Sequence, residues 1–360
     1  MVAPVVGGIL ARYLARSVAL SVILTAMVLA GLYLSVDLVR EAGDMRAGYG
    51  LLEVASFVLR TMPARLYDLF PFAALIGGTV ALGRLSAGSE LVAMRAGGFQ
   101  RQRILAHVLA PALLLGLGMM LAGELLAPRL EMAARLDRER ALEGQVGGNP
   151  GRTLWVRDGP MMIRSQTLLW SLDERVRFGN LRIYFIDDAS RIERILQARS
   201  GHHEGGSWRL RDVNELEIGA GATGQTMQSL KLPSELDPGV FRALVTRPRL
   251  LPMADILRIR SYLEANGQDS TAYRQAFWRR LLYPVNMLMM LFSGVAFLLR
   301  YGRLLTPAVA IFTGVSLGIG FFVLHRLVLG LAPVLPIPLG ITHLLPAALF
   351  GLFGLLLVRR

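Results

Sequence analysis

Cysteine is absent from this chain of 360 residues, and lysine occurs only once, as Lys231. Without cysteine no disulfide can form, so any domain outside the membrane must be stable through its own core. A P-loop needs a lysine directly after its glycines to reach the nucleotide phosphates, and Lys231 follows no such glycines. The sequence therefore predicts that this chain does not hydrolyse ATP by that route.

Motifs that carry metal or thiol chemistry are also missing. The chain has no H-E-x-x-H and no C-x-x-C. His202 and His203 are adjacent within "SGHHEGG", which is more typical of a solvated loop than of a metal site, because no further ligands stand nearby. These absences predict no catalytic centre, no metal site and no cofactor of the chain's own.

Long apolar runs dominate what remains. Hydrophobic residues make up 53% of the chain, and its mean hydropathy is +0.47. Runs of about 20 apolar residues mark membrane-spanning helices. The chain has six such runs, three before and three after a long polar insert, at about 17–36, 69–85, 104–122, 281–299, 306–325 and 339–358. The first run is too long for a signal peptide and has no A-x-A site after it, so it is predicted to be retained.

Arginines near the ends of the spans predict the orientation, because short cytoplasmic loops are enriched in basic residues. The net charge is +13. If all six runs cross the membrane, four arginine groups fall on one side: Arg12 and Arg16; Arg84, Arg95, Arg101 and Arg103; Arg300 and Arg303; Arg359 and Arg360. This side is assigned to the cytoplasm, so the long insert lies on the opposite side.

The insert is predicted to be an antiparallel β-domain. Runs with period-two alternation, such as "NLRIYFID", are separated by turn-rich pieces such as "DGP" and "GAGATG". Leu181, Ile183 and Phe185 share one face of a strand, either in a closed core or in an apolar groove. The predicted organisation is residues 1–130 with the first three spans, 131–265 with the β-domain and its flanking helices, and 266–360 with the last three spans.

Charged residues at the outer ends of the spans form a candidate binding site. Asp37 and Arg40 follow the first span, Arg65 and Asp68 precede the second, and Arg326 ends the fifth. In one interpretation these side chains only reach the headgroup zone, and Arg65 pairs with Asp68 at i, i+3 spacing. In the other they form a basic rim around a cavity for an anionic lipid, because arginine donates bidentate hydrogen bonds to phosphate.

The stretch "GRLSAGSELVAMRAGGFQRQR" between the second and third spans predicts a short cytoplasmic helix near 89–96. Ser89 is a favourable N-cap, Glu90 suits the positive end of the helix dipole, and a glycine pair can end the helix. Leu91 and Met94 share one face. An exposed apolar face with a carboxylate at its start suits docking on another protein, and a helix lying in the membrane interface is the alternative.

The longer segment "DLFPFAALIGGTVALGRLSAGSELVAMRAGGF" resembles the signature of the lipopolysaccharide-export permease family, LptF/LptG. "SVDLVREAG" at the end of the first span resembles the LptG branch more than the LptF branch. The order of three spans, β-rich insert and three spans is similar over essentially the whole chain. The resemblance implies a polytopic α-helical protein of the bacterial inner membrane, with six transmembrane helices and an inserted periplasmic antiparallel β-jellyroll-like domain.

The family resemblance also implies partners. Members pair as an LptF–LptG heterodimer with an ABC ATPase dimer, which binds the ATP, and with a single-span LptC-like protein and a periplasmic bridge protein. Ser89, Glu90, Leu91 and Met94 are then expected to couple to the ATPase, and the rim residues to contact lipopolysaccharide. No nucleic acid is expected as a partner.

Two alternatives come from other functional classes. One is a membrane-anchored sensor or mechanotransmission protein, whose outer domain binds a ligand and whose helices signal inward. The other is a membrane enzyme that modifies lipid with scattered carboxylates. Copurification separates them, because a transporter of this kind brings an ATPase with it, whereas an enzyme turns over lipid alone.

Overall fold

The computed structural model describes most of the chain, namely residues 3–46, 48–143, 154–170, 176–187, 191–204, 206–217, 224–234, 248–301, 306–332, 334 and 337–359. Arg303 and Arg360, which entered the prediction of orientation, lie outside these residues. Within the described ranges, ten α-helices precede, flank and follow six β-strands.

Helices α1 to α10 are, in chain order, Ala3–Ala42, Leu51–Ala87, Glu90–Ala96, Arg101–Leu125, Ala127–Glu143, Met253–Ala265, Thr271–Leu281, Tyr283–Tyr301, Pro307–Leu331 and Leu339–Arg359. Six of them, α1, α2, α4, α8, α9 and α10, are long and apolar enough to cross a membrane. The predicted number of spans and their arrangement in two groups of three are thereby confirmed.

Helix α2 begins well before the apolar run that marks it in the sequence. It starts at Leu51, and its early turns bury Val54 and Val58 while carrying charged residues on other faces. Hydropathy averaged over a window misses such an amphipathic start, because the apolar residues occupy only one stripe. The span therefore continues into a longer helix than the one predicted from residue 69.

The membrane helices form one compact unit made of residues up to Met45, Gly50–Ala134 and the chain from Gln275 onward. Helix α2 lies at its centre and packs along α1, α8 and α9. Helices α1 and α9 leave long apolar faces exposed, as is expected of surfaces that face lipid acyl chains or another membrane protein.

Helix α9 approaches α2 closely at Gly314. A Cβ atom at this position would lie 2.7 Å from Oγ1 of Thr79 and 3.1 Å from Cα of Ile76, so the small residue is used for packing inside the chain. Residues 314–318 also match the pattern G-x-S-x-G. They lie within a continuous helix, whereas a nucleophile elbow needs a strand-to-helix turn, so this match carries no hydrolase site.

The second compact unit comprises Arg46–Tyr49 and Arg135–Arg274. Its strands β1 to β6 are Leu154–Asp158, Met161–Trp170, Val176–Ile186, Ile192–Glu204, Ser207–Glu217 and Gly224–Pro233. They form one antiparallel sheet in which each strand pairs with the next along the chain. The predicted antiparallel domain between the two groups of spans is confirmed, but His202 and His203 belong to β4 and not to a loop.

Pairing within this sheet is interrupted along one line that crosses five strands. The line passes through Gln166, Asn180, Arg199, Asp212 and Gln228, on β2 to β6, and the register is the same on both sides of it. Asn180 and Asp212 have positive φ angles of 53° and 52°, which few non-glycine residues adopt within a strand. Both residues thus lie on the line where the pairing is interrupted.

Candidate functional site

The apolar face of the short helix α3 is covered by the chain itself. Leu91 and Met94 are each only 5% exposed, and they belong to the same hydrophobic cluster as Leu14 of α1 and Ile104 of α4. The expectation that this face is exposed for docking is therefore wrong for these two side chains. They fix α3 to the membrane helices, and the outward-facing apolar side chain of α3 is Val92, at 61% exposure.

Ser89 does not cap α3 through its side chain. Its φ of 58° lies in the left-handed region, and its hydroxyl makes no hydrogen bond to the start of the helix. The turn from α2 into α3 is too tight for the extended backbone that a side-chain N-cap requires. The Ser89 carbonyl instead accepts a 3.0 Å hydrogen bond from the backbone N–H of Ala93, so Ser89 holds the predicted N-cap position without capping the helix through its side chain.

Glu90 occupies the first position of α3, as predicted. It is half-buried. Its carboxylate interacts with the hydroxyl of Tyr13 in α1 through a hydrogen bond and through its negative charge. Tyr13 itself is 46% exposed. The carboxylate is thus oriented near the cytoplasmic start of the first span, with part of its surface accessible from outside.

The predicted outer rim contains an ion pair between two helices. Nε of Arg65 lies 3.4 Å from Oδ2 of Asp37, and these side chains are 17% and 12% exposed. The Arg65 guanidinium also lies 5.3 Å from the ring centroid of Tyr33, a distance typical of a cation–π contact. Arg65 therefore pairs with α1 across the helix interface, and not with Asp68 along its own helix.

The remaining rim residues are exposed. They are Arg40, Asp68 and Arg326. Arg40 follows Asp37 by about one turn of α1, whereas Arg326 lies on α9. Because Asp37 already offsets the charge of Arg65, Arg40 and Arg326 are the rim arginines best suited to an external anion.

Removing the Asp37 carboxylate is expected to destabilise the membrane unit. Asp37→Asn leaves the shielded Arg65 cation without its partner, at a cost of about 1–3 kcal/mol, because burying an uncompensated charge is unfavourable. Thermal unfolding of the purified full chain in detergent measures this loss. Asp68→Asn is the matched control: its carboxylate is exposed and acts on Tyr67 and Arg280, so a smaller loss is expected because solvent screens it. If Asp68→Asn lowers the melting temperature and Asp37→Asn does not, the assigned pair is incorrect.

A second set of contacts joins the two halves of the membrane unit at their outer ends. Nη1 of Arg280 lies 3.2 Å from Oε2 of Glu124, and the Arg280 side chain is 7% exposed. The rings of Tyr67 and Tyr283 stack with centroids 4.3 Å apart, and the Tyr283 hydroxyl donates a 3.0 Å hydrogen bond to the Tyr67 carbonyl. These contacts are not predictable from the sequence, because no local pattern relates residues so far apart in the chain.

The three apolar residues singled out on β3 do not share one environment. Leu181 and Ile183 are fully buried in the core of the sheet unit. Phe185 is half-buried, and the guanidinium of Arg194 lies 4.0 Å from its ring centroid. Of the two interpretations, the closed core holds for Leu181 and Ile183. Phe185 lies towards the edge of that core.

A buried hydrogen-bond network ties together distant parts of the sheet unit. Oδ2 of Asp158, at the end of β1, accepts a 2.8 Å bond from Nε1 of Trp208 and a 2.6 Å bond from Oγ of Ser234. Nε2 of His203 lies 2.9 Å from the same Oγ. Asp158 and Trp208 are almost fully buried, so the network links the end of β1 to β5 and to the segment after β6.

These residue types also occur in serine hydrolases, but the geometry here is different. In a catalytic triad the histidine lies between the serine and the carboxylate, so that it can take the hydroxyl proton. Here Ser234 lies between His203 and Asp158, and its hydroxyl donates a hydrogen bond to the Asp158 carboxylate. His203 must then donate its Nε2–H to Ser234. Burial lowers the pKa of His203, with an opposing effect from Asp158, and the network is structural.

Metal binding has no support in the described part of the chain. The residues there include no group of three or more histidine, aspartate and glutamate side chains that is placed to hold an ion. His203 instead packs against the Trp208 ring at a centroid distance of 5.1 Å.

Six membrane helices, a short helix between the second and third of them, and an inserted antiparallel sheet define a polytopic membrane protein with a separate β-domain. The family model described as "Lipopolysaccharide export system permease LptF/LptG" matches residues 12–360. The chain belongs to this family, and it is a multi-pass protein of the inner membrane.

Two curated relatives carry the same name, "Lipopolysaccharide export system permease protein LptG". The protein of Escherichia coli strain K12 is 29% identical over 360 residues, which cover 98% of each chain. That of Haemophilus influenzae is 28% identical over 345 residues, or 95% of each chain. The resemblance to the LptG branch is therefore confirmed, and it favours a transport subunit over the sensor and the lipid-modifying enzyme.

Proposed function

We propose that this chain is the LptG-type permease subunit of an ATP-driven exporter, which takes lipopolysaccharide from the outer leaflet of the inner membrane and passes it to a periplasmic bridge. The observation that carries this proposal is the family match over nearly the whole chain, together with relatives named for lipopolysaccharide export. The substrate is an amphiphile, so its route needs both apolar surface and anion-binding groups. The exposed apolar faces of α1 and α9 and the outer arginines provide these two features.

We propose that an LptF-like subunit covers part of those exposed helix faces and that a separate ABC ATPase dimer supplies the energy. An LptC-like single-span protein and the bridge protein complete the proposed assembly. Exposed apolar stretches on α1 and α9 suit a membrane-embedded partner as well as lipid.

The ATPase contact is proposed at the exposed side of α3. This short helix is anchored by Leu91 and Met94 in a cluster shared with α1, α2 and α4. Because a close-packed core transmits displacement with little compression, force applied to α3 reaches these spans together. The outer surface of α3 then makes the contact itself, with Val92 as the apolar group and Glu90 as the charged group that fixes orientation.

Reversing the charge at Glu90 is expected to separate the ATPase from the permease. Glu90→Lys replaces an attractive pair by repulsion, and losing one partner of an interfacial charge pair costs about 2–5 kcal/mol. ATPase copurification from membranes, measured together with lipopolysaccharide export, should fall at least tenfold, and Glu90→Ala should have a smaller effect. Glu193→Lys, an exposed charge reversal on β4, is the matched control.

The contact between Glu90 and Tyr13 provides a second control. Tyr13→Phe removes the hydroxyl near the carboxylate and leaves the charge of Glu90 unchanged. If Tyr13→Phe reproduces the loss seen with Glu90→Lys, Glu90 acts by holding α3 against α1 and not by binding the ATPase. Unchanged assembly and export in fully expressed Glu90→Lys would exclude α3 as the coupling element.

Arg40 is proposed to contact a lipopolysaccharide phosphate, with Arg326 as a second contact. A photocrosslinker at position 40 should trap lipopolysaccharide in an actively transporting complex. A crosslinker at position 65 should trap less, because Arg65 is largely shielded and paired with Asp37. Equal trapping at both positions, or none at position 40, would contradict the assignment of the phosphate contact to Arg40 and not to Arg65.

A further inference from the structure

Three basic side chains converge near the outer ends of α7, α9 and α10, and we call them the Arg279–His cluster. The rings of His325 and His343 meet edge to face with centroids 5.7 Å apart. The guanidinium of Arg279 acts electrostatically on both rings. His343 is 1% exposed, whereas Arg279 and His325 are half-buried, so the cluster is partly open to its surroundings.

The cluster lies at the depth of the outer headgroups. His325 is about 27 Å along α9 from its cytoplasmic start, at 1.5 Å per residue, and the hydrocarbon core of a bilayer is about 30 Å thick. His343 lies in the second turn of α10, which starts on the outer side, and Arg279 lies shortly before the outer start of α8. All three residues therefore lie at about the same depth in the membrane.

Aromatic side chains hold the cluster in place. Phe321 stacks on the His325 ring at a centroid distance of 6.0 Å and meets Phe350 of α10 edge to face at 5.1 Å. A Cβ atom on Gly340 would lie 2.9 Å from Cζ2 of Trp278, so this indole packs directly against the start of α10. The basic groups are thus held in place by closely packed aromatic side chains.

Hydrogen-bonding capacity in the cluster is left unused. Nε of Arg279 and Nδ1 of His325 are buried and have no hydrogen-bond partner among the described residues. Nδ1 of His343 does have a partner, since it bonds to the Leu339 carbonyl at 3.0 Å. Buried polar atoms normally find partners, and each orphaned one calls for an explanation such as a bound ligand.

Arg279 carries the positive charge of the cluster, and the two histidines contribute polar ring nitrogens. The charged and titratable groups that act on His325 are His343 and Arg279, and Arg279 is also the charged group that acts on His343. No carboxylate is among them, although Asp68 and Glu124 act together with Arg279 on Tyr67. Buried nitrogen atoms without hydrogen-bond partners are unfavourable, so an external anion that accepts from Arg279 would offset the missing hydrogen bonds.

We propose that the Arg279–His cluster binds the phosphate group of a lipid headgroup in the outer leaflet. The planar guanidinium matches phosphate geometry, imidazole N–H groups add donors, and the depth of the cluster brings a headgroup within reach. The site is built on α7, α9 and α10, apart from the ion pair between α1 and α2. Two sources have this chemistry, namely the bulk anionic phospholipid and the phosphorylated glycolipid that the exporter is proposed to carry.

Native mass spectrometry of the purified full chain tests the proposal with three added lipids. Phosphatidylglycerol and bisphosphorylated lipid A carry phosphate, whereas diacylglycerol does not. Arg279→Gln and His325→Gln should weaken binding of at least one phosphate lipid about tenfold, the effect expected from losing a charge-assisted hydrogen bond. Arg279→Lys should lose less than Arg279→Gln, because it keeps the charge.

Matched controls separate this site from general effects. His107→Gln removes a half-buried imidazole on the cytoplasmic side whose Nδ1 contacts the Arg103 carbonyl, much as His343 contacts Leu339. Arg16→Gln removes an exposed cytoplasmic arginine. Both variants should bind all three lipids as the parent chain does. Thermal unfolding without added lipid identifies any cluster variant that fails to fold, and the test then rests on whichever of Arg279→Gln and His325→Gln folds as the parent chain does.

The pattern of loss decides between the outcomes. Weakened binding of phosphatidylglycerol alone identifies a bulk phospholipid site, and weakened binding of lipid A alone identifies a cargo site. Loss of both supports recognition of the shared phosphate. Unchanged binding of both phosphate lipids overturns the proposal, as does an equal loss for diacylglycerol. Neither result depends on whether α3 binds an ATPase, so this inference and the proposed function fail separately.

Discussion

Gly77→Val should prevent the chain from accumulating as a folded membrane protein. A Cβ atom on Gly77 of α2 would lie 2.5 Å from Cα of Val22 and 2.8 Å from the carbonyl oxygen of Ser21 in α1. These are backbone atoms, so no rotamer change relieves the overlap and the two helices must separate. We expect a loss of about 3 kcal/mol or more, at or beyond the upper end of ordinary overpacking.

Gly118→Val on α4 is the matched control for this substitution. Nothing lies within 4 Å of a Cβ atom built at Gly118, and the same β-branched side chain is added to a membrane helix. Membrane abundance and thermal unfolding in detergent should distinguish the two variants clearly. If both behave alike, the close approach of α1 and α2 at Gly77 is not needed for the fold.

Ile183→Asp should unfold the sheet unit. Ile183 is fully buried, and it stands opposite Ile163 and Leu196 on the neighbouring strands. The substitution removes apolar contacts and places a carboxylate where it finds no partner, so we expect a loss of about 4 kcal/mol or more. Limited proteolysis of the full chain should show cleavage within the strands, and export should be lost with the fold.

Two further substitutions on β3 show how the loss of stability depends on burial of the substituted residue. Arg182→Asp changes an exposed residue whose side chain points to the opposite face, and it should leave the protease pattern unchanged. Phe185→Asp should be intermediate, because its ring is half-buried beneath Arg194. Normal folding and export of Ile183→Asp would show that this position belongs to neither a core nor a lipid groove.

Much of the architecture could be predicted because it rests on signals within single segments. A run of about 20 apolar residues must form a helix in lipid, since unpaired backbone groups are too costly there. Period-two alternation likewise predicts a strand with one buried face, and Leu181 and Ile183 follow that pattern. The start of α2 at Leu51 was missed because its polar faces lower the average hydropathy.

The candidate sites were harder to predict, because the same local pattern fits more than one environment. Leu91 and Met94 form an apolar face at i, i+3 spacing whether that face docks on a partner or on the chain's own helices. A helix as short as α3 is also oriented by its connections and not by its sequence alone. The positive φ of Ser89 belongs to that tight connection, and Ser89 therefore takes the predicted N-cap position without a side-chain cap.

The sequence by itself determined the class of this protein: the number of spans, the inserted antiparallel sheet, the absence of disulfides and of a P-loop, and the resemblance to the export permeases. Those properties depend on composition and on short-range periodicity. The tertiary structure alone decided which charges meet. Glu124 and Arg280 are 156 residues apart in the chain, and Asp158 and Ser234 are 76 apart. Such partners meet because of how helices and strands pack, and local patterns along the sequence do not predict that packing.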